Sequence, residues 1–477
     1  MFLCREAELG RLHDLYSSNS FEAAVIYGRR RVGKTALINE FVKDKNTIYF
    51  PALNANVQAN LAAFSGSIQN LTDPGASEVP VYQSFRSAFD AVTRIASRDK
   101  TILVIDEFQY LARSDSSLVR EIARFIKGDW SGTDMLLILC GSSASFMESE
   151  VLGEHSPLSE LITAEIRLEP FDYLETARFN PDLSPADNAL IYAITGGIPH
   201  YINKLGVRGD LREAVLSNLL EASSSLFEEP ENQLRSELRE PALYNSIITA
   251  IARGHSKLGD IAGTTGMETS ACSKYITTLT DLGIVRKVEP AVGRSRRKTQ
   301  YRLTDNLFRF WYRFVPSNMI SISSGNTERV YDRAVQELPD YMKLPFEEIC
   351  RQYLARHAEH VPFRAGELGE WWGSLSQGGA GRRMKKGADT HIDIVGVSQA
   401  SGGSRFIIGS CKYEDDPADE DDLDRLRSSV SEFTSANDEC YYYIFSKNGF
   451  TSELIEHQTR GEVSLVSLED MYRNISN

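Results

Sequence analysis

Long apolar runs are missing from this chain of 477 residues. No stretch of it reaches the roughly 18 consecutive apolar residues that a membrane-spanning helix needs. The N-terminal sequence MFLCREAELG carries Arg5, Glu6 and Glu8, where a signal peptide has an apolar core. These absences predict a cytoplasmic protein without a membrane partner.

Closely spaced cysteines and an excess of positive charge are also missing. The six cysteines include no CxxC pair, which favours reduced thiols over a disulfide framework or a zinc site. The formal net charge of −14 argues against indiscriminate nucleic-acid binding by the whole surface, although it leaves local basic patches open. The length of the chain predicts about three domains.

Short apolar strands alternate with helical stretches over residues 1–170, a pattern typical of the parallel sheet of an α/β domain. Residues 171–235 have a helical pattern and are predicted to form a lid. The predicted strands are Ala23–Tyr27, Thr47–Phe50, Thr101–Ile105, Met135–Cys140 and Ile166–Leu168.

The stretch from Gly28 to Thr35 matches the phosphate-binding motif GxxxxGK[ST] and lies between a predicted strand and a predicted helix. The glycines let backbone N–H groups point at phosphates, Lys34 reaches the β- and γ-phosphates, and the Thr35 hydroxyl ligates Mg²⁺. ATP and Mg²⁺ are therefore the predicted cofactors. The predicted nucleotide-binding residues are Gly28, Arg29, Arg30, Arg31, Val32, Gly33, Lys34, Thr35 and Ala36.

Two carboxylates end the apolar strand of the segment ILVIDEFQ. Asp106 is predicted to hold Mg²⁺ through water, together with Thr35. Glu107 is predicted to orient and deprotonate the attacking water, because hydrolysis needs a base within hydrogen-bonding reach. The two motifs together predict an ATPase in which Lys34 and Glu107 are the catalytic residues.

Five segments of the chain resemble the archaeal-type P-loop ATPases, which also occur in bacteria and are related to the AAA and STAND ATPases. The resemblance extends over about residues 1–315 and is highly specific in the first 200. It implies an AAA-like P-loop parallel sheet with a helical lid. The segments are FLCREAEL, YGRRRVGKTALI, LVIDEFQYL, LCGSSASFM and TGGIPHYI.

Further site assignments follow from this resemblance. It implies that Arg5 and Glu6 lie near the nucleotide base and that Gly197-Ile198-Pro199 belongs to the lid. AAA-type proteins place a polar sensor of the γ-phosphate where this chain has Ser142, with a plain serine turn as the alternative. Family members often read PLYGR before the last strand, whereas this chain reads PLSEL over 157–161, which leaves the source of an arginine finger open.

Residues 236–315 show the order helix, helix, turn, helix and two strand-like runs, which is typical of a winged-helix domain. The stretch from Glu231 to Arg313 holds 14 Lys and Arg against 8 Asp and Glu. DNA is therefore a predicted partner, through salt-sensitive phosphate contacts, and a lid or oligomer contact is the alternative. The predicted DNA-binding residues are Arg294, Arg296, Arg297 and Lys298, beside Arg302 and the helix positions Ser270, Ser273, Lys274 and Thr277.

Residues 330–477 return to a mixed α/β pattern and resemble the PD-(D/E)xK restriction-endonuclease-like domain that commonly follows this type of ATPase. The resemblance implies that Asp393 and Lys412 are catalytic residues of a metal-dependent nuclease. Where that family has a glutamate, this chain has Ser410, which is a neutral and poor ligand for Mg²⁺.

A glutamate on the preceding helix, Glu347 or Glu348, often assists in that family, so Asp393 and Glu347 are the predicted metal ligands. Cleavage is predicted to be weak or absent unless Glu347 or Glu414 replaces the missing carboxylate. The basic run Arg382–Lys386 would suit a phosphate backbone, and the eight acids of Glu414–Asp424 predict a solvated loop or helix start.

Two functions from different classes fit these motifs. In the first, the protein hydrolyses ATP on or at DNA and repositions a nuclease-like module. In the second, it is a STAND-like nucleotide-controlled switch, and the nuclease-like domain is a non-catalytic interaction scaffold. The pair Asp393 and Lys412 favours the first function. Ser410 and the missing arginine before the last strand favour the second, and assembly into a homo-oligomer is left open.

Overall fold

The computed structural model describes residues 2–75, 80–238, 240–293, 299–357, 359, 361–374, 389–400, 403–431 and 433–473. The chain divides into two compact units. The first consists of Met1–Pro170 with Ile198–His200, and the second of Phe171–Gly197 with Tyr201–Asn477. Within the described ranges, no helix combines the length and the apolar character that a membrane crossing requires.

Five parallel strands form the centre of the described part of the first unit, which confirms the predicted α/β sheet. They are β1 (Glu22–Tyr27), β2 (Thr47–Pro51), β3 (Ile102–Asp106), β4 (Leu136–Gly141) and β5 (Ala164–Arg167). The order across the sheet is β2-β3-β4-β1-β5, and all neighbours run parallel. One strand, β4, therefore separates the strand before the phosphate-binding motif from the strand that ends in Asp106.

Helices cover both faces of this sheet, because its central strands carry apolar side chains on both sides. They are α1 (Glu6–Ser17), α2 (Lys34–Phe41), α3 (Val57–Thr72), α4 (Phe85–Ala96), α5 (Phe108–Ser114), α6 (Ser117–Lys127) and α7 (Ala144–Phe146). One core contains Val25, Leu103 and Leu139 with side chains of α3 to α6. The other contains Ile26 and Val104 with side chains of α1 and α2.

The carboxyl ends of these strands meet at one edge of the sheet. Tyr27 at the end of β1 is paired with Gly141 at the end of β4, and β3 runs beside β4 on its other side. Ligands of parallel α/β sheets bind at this edge, outside the carboxyl ends of the strands. The sheet therefore brings the phosphate-binding loop, the two carboxylates at the end of β3 and Ser142 to the same edge.

Helices occupy the beginning of the second unit. Those of the segment 173–237 are α8 (Tyr173–Ala177), α9 (Pro185–Thr195), α10 (Pro199–Leu205, whose first two residues belong to the first unit), α11 (Leu211–Val215) and α12 (Ser225–Glu237). They are followed by α13 (Pro241–Ala252), α14 (Leu258–Thr265), α15 (Thr269–Asp281) and the antiparallel strands β6 (Val285–Val288) and β7 (Gln300–Leu303). This element order is the one that the sequence predicts, and the assignment as a winged helix stays a prediction.

A mixed sheet forms the C-terminal part of the second unit. After α16 (Asn306–Phe314), α17 (Met319–Ser323) and the long α18 (Thr327–Arg356), the chain forms β8 (Leu368–Ser374), β9 (Asp389–Ala400), β10 (Gly403–Lys412), α19 (Glu420–Val430), β11 (Glu439–Ser446), α20 (Ser452–Thr459), β12 (Ser464–Ser467) and α21 (Leu468–Tyr472). The strand order is β12-β11-β10-β9-β8. Strands β8, β9 and β10 are antiparallel, whereas β10, β11 and β12 are parallel. The apolar patterns over 392–397, 405–413 and 441–445 predict the three inner strands, and the sequence analysis misses β8 and β12.

Candidate active site

The loop between β1 and α2 depends on glycine at both ends. Gly28 has φ +151° and Gly33 has φ +99°, which residues with a side chain rarely adopt. A Cβ atom on Gly28 would lie 2.2 Å from the carbonyl oxygen of Leu168, so the loop starts in direct contact with the residue after β5. Arg29, Arg30, Arg31 and Val32 lie in this loop, and Thr35 and Ala36 are exposed in the first turn of α2.

Lys34 lies at the centre of the loop. Its Nζ donates hydrogen bonds of 2.9 Å to the carbonyl oxygens of Gly28 and Arg29, and the residue is 6% exposed. Burial lowers the pKa of this ammonium, and the nearby charges of Glu107 and Asp106 act in the opposite direction. A cation held inside a loop of backbone N–H groups is suited to binding a polyanion.

The carboxylate of Asp106 accepts hydrogen bonds at both of its oxygens. Its Oδ2 accepts from the Thr35 hydroxyl at 3.2 Å and from the Tyr49 hydroxyl at 2.6 Å. Its Oδ1 accepts from the backbone N–H of Glu107 at 2.9 Å. Burial and the hydrogen bond to Asp106 raise the pKa of Tyr49, so the phenol remains a donor. The structure thus brings together the two residues that are predicted to hold Mg²⁺.

Glu107 belongs to a second cluster of hydrogen bonds at the same edge. Its Oε2 accepts from the Ser142 hydroxyl at 2.6 Å and from the side-chain amide of Gln109. The same amide donates to the Ser142 hydroxyl oxygen at 3.0 Å. The backbone of Glu107 has φ +53° and ψ +43°, in the left-handed region. The predicted base and the predicted sensor are therefore in direct contact.

Arg5 and Pro199 contact the phosphate-binding loop from other segments of the first unit. The Arg5 guanidinium donates to the carbonyl oxygens of Glu169 at 2.6 Å and Val32 at 3.3 Å. A Cβ atom on Gly33 would lie 3.8 Å from Cγ of Pro199. Both segments belong to the motifs that carry the family resemblance, and both lie beside the loop.

Three titratable side chains form a chain of hydrogen bonds on the C-terminal sheet of the second unit, and Glu347 lies beside them. His391 lies between Glu370 and Asp393, with its Nε2 at 3.0 Å from Oε2 of Glu370 and its Nδ1 at 3.0 Å from Oδ1 of Asp393. Oδ2 of Asp393 accepts from the backbone N–H of Cys411 at 2.7 Å. Glu347, on α18, is within 4.8 Å of His391 and Asp393 when measured between ligand atoms.

Two arginines approach the same carboxylates. Arg302 of β7 donates to Oε2 of Glu370 at 2.5 Å and lies 3.9 Å from Oε2 of Glu347. Arg351 of α18 lies 3.6 Å from Oε2 of Glu347 and donates to the carbonyl oxygen of Asp393 at 3.0 Å. The Arg302 side chain is 12% exposed. Arg302 thus lies on a strand of the predicted wing, with its guanidinium buried in an ion pair with Glu370.

The electrostatics of this cluster shift three pKa values. Burial and the charge of Asp393 raise the pKa of Glu347 to about 7. Burial opposes the charged form of His391, but its hydrogen bonds to Asp393 and Glu370 outweigh it and raise the pKa to about 10. For Glu370, burial is outweighed by the hydrogen bond from His391 and the charge of Arg302, and the pKa is lowered.

Lys412 projects to the other face of the sheet. Its Nζ donates to Oδ2 of Asp422, on α19, at 3.0 Å and to the carbonyl oxygen of Pro417 at 3.3 Å. The neighbouring Cys411 makes a side-chain hydrogen bond with Cys350 of α18. Since side chains alternate along a strand, Ser410 and Lys412 share the α19 face and Cys411 lies on the α18 face. The structure therefore brings Asp393 to Glu347 and does not bring Lys412 to them.

The predicted DNA-binding residues Arg294, Arg296, Arg297 and Lys298 lie outside the described residues, as does the basic run 382–386. The helix positions predicted to face a groove lie on α15. Ser270, Lys274 and Thr277 are exposed there and Ser273 is half-buried, while the opposite side of the helix buries Cys272, Ile276 and Leu279. A polar side of α15 is therefore open to solvent in the described part of the second unit.

Four residues at these clusters were missed by the sequence reasoning. Tyr49 and Glu370 lie on strands next to those that carry the motifs, and strand pairing leaves no trace in a linear pattern. Gln109 and His391 are each two residues from a predicted site residue, in DEFQ and HID. That spacing is a signal that could have found both.

Two families match this chain. Residues 2–205 match a family described as an ATPase domain predominantly from Archaea. Residues 311–425 match a family described as archaeal and bacterial proteins of unknown function.

Several relatives and solved structures with similar chains come from Archaea. An uncharacterized protein of Methanocaldococcus jannaschii, MJECL04, is 26% identical over 481 residues, which cover 98% of this chain and 100% of the relative. An uncharacterized ATP-binding protein of the same organism, MJ0423, is 44% identical over 45 residues, 9% of this chain and 76% of the relative. The Walker-type ATPase PABY2304 of Pyrococcus abyssi is 20% identical with a TM-score of 0.49, covering 65% of this chain and 96% of that one. The ORC2 protein of Aeropyrum pernix in ADPNP and ADP complexes is 17% identical with a TM-score of 0.43. The match covers 70% of this chain and 95% of that one.

Proposed function

We propose that the ATPase domain carried by residues 2–205 binds ATP with Mg²⁺ and hydrolyses it, with Glu107 as the base. The observation that carries this proposal is the pair of hydrogen-bond clusters at one sheet edge. Asp106 contacts Thr35 at 3.2 Å, and Glu107 contacts Ser142 at 2.6 Å. The residue proposed to hold the metal and the proposed base thus lie at the same sheet edge as the phosphate-binding loop with its buried lysine.

The donors around Asp106 fit Mg²⁺, since hydroxyl and carboxylate oxygens are the hard ligands that this ion prefers. Thr35 and Asp106 would hold it, and it would neutralise charge on the β- and γ-phosphates. Lys34 would exchange its two carbonyl acceptors, Gly28 and Arg29, for phosphate oxygens. Glu107 would accept a proton from the attacking water, while Ser142 and Gln109 fix the orientation of its carboxylate.

The test separates nucleotide binding from turnover. Full-length protein is assayed for phosphate release with ATP and Mg²⁺, and for affinity with a fluorescent ATP analogue. Glu107→Gln should bind the analogue like the wild type and release phosphate at least about a hundredfold more slowly, because an amide accepts no proton. Glu121→Gln, on α6, is the matched control and should change neither quantity. An unimpaired Glu107→Gln protein would remove Glu107 from the mechanism.

We propose further that the protein acts on or at DNA, through a winged helix over residues 236–315. The support is the exposed polar side of α15 together with the local excess of Lys and Arg over Asp and Glu. The C-terminal residues 330–477 are proposed to be a nuclease-like domain. Its element order, α18, three antiparallel strands, α19 and a parallel strand, supports that assignment.

The second candidate function is a nucleotide-controlled switch in which this domain is a non-catalytic scaffold. The position of Lys412 favours it, because the ammonium is paired with Asp422 on the face opposite Asp393. One experiment distinguishes the two functions. Plasmid is incubated with the protein, ATP and Mg²⁺ or Mn²⁺, and nicking and DNA-stimulated ATP hydrolysis are followed together. DNA-stimulated ATP hydrolysis without nicking supports action at DNA by a protein whose nuclease-like domain is non-catalytic. Nicking supports an active nuclease-like domain.

A further inference from the structure

The hairpin formed by β6 and β7 has one apolar face and one basic face. Val285 and Leu303 lie opposite each other in the strand register, and both are buried. Arg286 and Arg302 form the next pair, and they point to the other face because side chains alternate along a strand. Like charges that lie directly opposite each other destabilise a strand pair. An anion beside the basic face therefore stabilises the hairpin.

A carboxylate of the C-terminal sheet supplies this anion. Nη2 of Arg302 donates to Oε2 of Glu370, on β8, at 2.5 Å, and the Glu370 side chain is 4% exposed. The same Oε2 lies 3.0 Å from Nε2 of His391, on β9. Release of Arg302 would accordingly leave Glu370 with a partner inside its own sheet.

The segment after β6 docks on the edge of the C-terminal sheet. Strand β8 ends the strand order of the described sheet, and the backbone N–H of Ala291 donates to the carbonyl oxygen of Glu370 at 2.8 Å. Ala291 and Val292 also pack against the apolar cluster that contains Trp371. A Cβ atom on Gly369 would lie 3.0 Å from Cβ of Ala291. A larger side chain at position 291 would therefore not fit against β8.

This docking contact is built to open at low cost. An open cavity of about 430 Å³ lies along it, lined by Lys287 and Glu289 of the hairpin segment and by Glu367 before β8. Within the described residues, the buried Nη1 of Arg302 has no hydrogen-bond partner, and water would satisfy it once the contact opens. Buried ion pairs contribute little net stability, because the desolvation of both charges offsets their attraction. Segments with few buried apolar contacts open more readily than a core does.

We propose that the basic face of the β6–β7 hairpin is a DNA-binding surface that the C-terminal sheet masks, with the carboxylate of Glu370 in the place of a phosphate group. Carboxylate and phosphate oxygens accept hydrogen bonds from a guanidinium in the same way. In the docked state Glu370 neutralises Arg302. When the hairpin leaves β8, Arg302 becomes available to the DNA backbone beside Arg286. The inference rests on the proposed action at DNA and adds its regulation by the C-terminal domain.

The test measures the affinity of full-length protein for duplex DNA over a series of salt concentrations. Glu370→Gln removes the masking charge and keeps the size of the side chain. It should tighten DNA binding by about fivefold or more and steepen the dependence of log affinity on log salt concentration by about 0.9, because one further cation reaches a phosphate. Adding Arg302→Gln to Glu370→Gln should restore the wild-type slope.

A second variant opens the contact without changing any charge. Ala291→Gln places a larger side chain against Gly369, and should tighten DNA binding and steepen the slope as Glu370→Gln does. Hydrogen exchange of the segment 285–293 without DNA should be faster in both variants, because the contact that protects the N–H of residue 291 is lost. Glu439→Gln is the matched control. It removes one negative charge from β11 of the same sheet, where Glu439 lies 3.3 Å from Arg405, and should change neither DNA binding nor exchange.

The salt dependence separates the possible outcomes. Equal slopes in the wild type, Glu370→Gln and Ala291→Gln overturn the masking and leave the proposed action at DNA standing. An equal gain in Glu439→Gln overturns the masking as well, because net charge alone then accounts for the effect. A gain that Arg302→Gln does not reverse overturns the role of Arg302. Absence of DNA binding in the wild type and in both opened variants overturns the masking together with the action at DNA. If Glu370→Gln does not fold, Ala291→Gln decides alone.

Discussion

The hydroxyl of Ser142 donates a hydrogen bond of 2.6 Å to the carboxylate of Glu107, and so connects the ends of two strands. A γ-phosphate oxygen would compete with this carboxylate for the same donor. We therefore expect Ser142→Ala to lower kcat by about tenfold or more, because the base loses part of its orientation, and to change ATP affinity little. Steady-state phosphate release and nucleotide titration measure the two effects. Ser143→Ala is the control, and an equal loss of kcat in it would contradict the role of Ser142.

Lys34→Ala should abolish high-affinity ATP binding, since Lys34 is the cation that the motif directs at the β- and γ-phosphates. The expected result is no saturable signal with a fluorescent ATP analogue and unchanged thermal unfolding without nucleotide. Lys43→Ala is matched to it, because Lys43 is an exposed lysine paired with Glu40 shortly after the same helix. Retention of wild-type affinity by Lys34→Ala would contradict nucleotide binding at this loop.

Tyr49→Phe should raise the Mg²⁺ concentration that gives half-maximal ATP hydrolysis by about three- to tenfold. The variant removes one of the hydrogen bonds that fix Oδ2 of Asp106, and orienting bonds to metal ligands commonly contribute about tenfold or more to affinity. Manganese binding in the presence of ATP, followed by electron paramagnetic resonance, gives a second readout. Tyr27→Phe loses a similar bond, of 2.6 Å to Glu165, and should leave the metal dependence unchanged.

Replacing Arg294, Arg296, Arg297 and Lys298 together with Ala should weaken DNA binding for all sequences. Each lost phosphate contact should make the dependence of log affinity on log salt concentration shallower by up to about 0.9. Gel shifts over a series of salt concentrations measure both quantities. Arg302→Gln should not reproduce the change in slope, because Arg302 is buried in an ion pair. An unchanged slope in the variant with all four substitutions would indicate that the hairpin has only a structural role.

Ser410→Glu should not create a nuclease. The nuclease resemblance implies that this change restores the missing carboxylate, but Ser410 lies on the α19 face with Lys412, whereas Asp393 belongs to the α18 face. We expect plasmid nicking with Mn²⁺ to remain at the level of the unmodified chain. Nicking that appears in Ser410→Glu and disappears on adding Asp393→Ala would show that the two positions share a site.

Local motifs made the first unit predictable. The phosphate-binding loop is a contiguous motif between a strand and a helix, so its residues, the strand before it and the carboxylates of ILVIDEFQ follow from short patterns. Contacts between strands do not follow from such short patterns. The hydrogen bond from Tyr49 to Asp106 depends on the pairing of β2 with β3, which the sequence of either strand leaves undetermined.

The C-terminal sheet shows why the spacing of residues along the sequence did not predict which side chains share a face of the sheet. Between β8 and β9 the pairing shifts from Gly369 with Val395 to Trp371 with Ile392, so β9 carries one extra residue at this point. An extra residue reverses which side chains face each side of the sheet. Asp393 lies within this irregularity, and counting from Asp393 to Lys412 therefore could not place them on one face.

Glu107 has a left-handed backbone, φ +53° and ψ +43°, which costs a residue with a side chain roughly 1 kcal/mol and glycine almost nothing. Selection for folding alone would accordingly accumulate glycine at this position. Selection for ATP turnover would retain the acid against that preference. In a lineage that no longer needs hydrolysis, we expect Glu107 to be among the first residues to be replaced. The residue found at this position would then show that activity was lost before the fold itself changed.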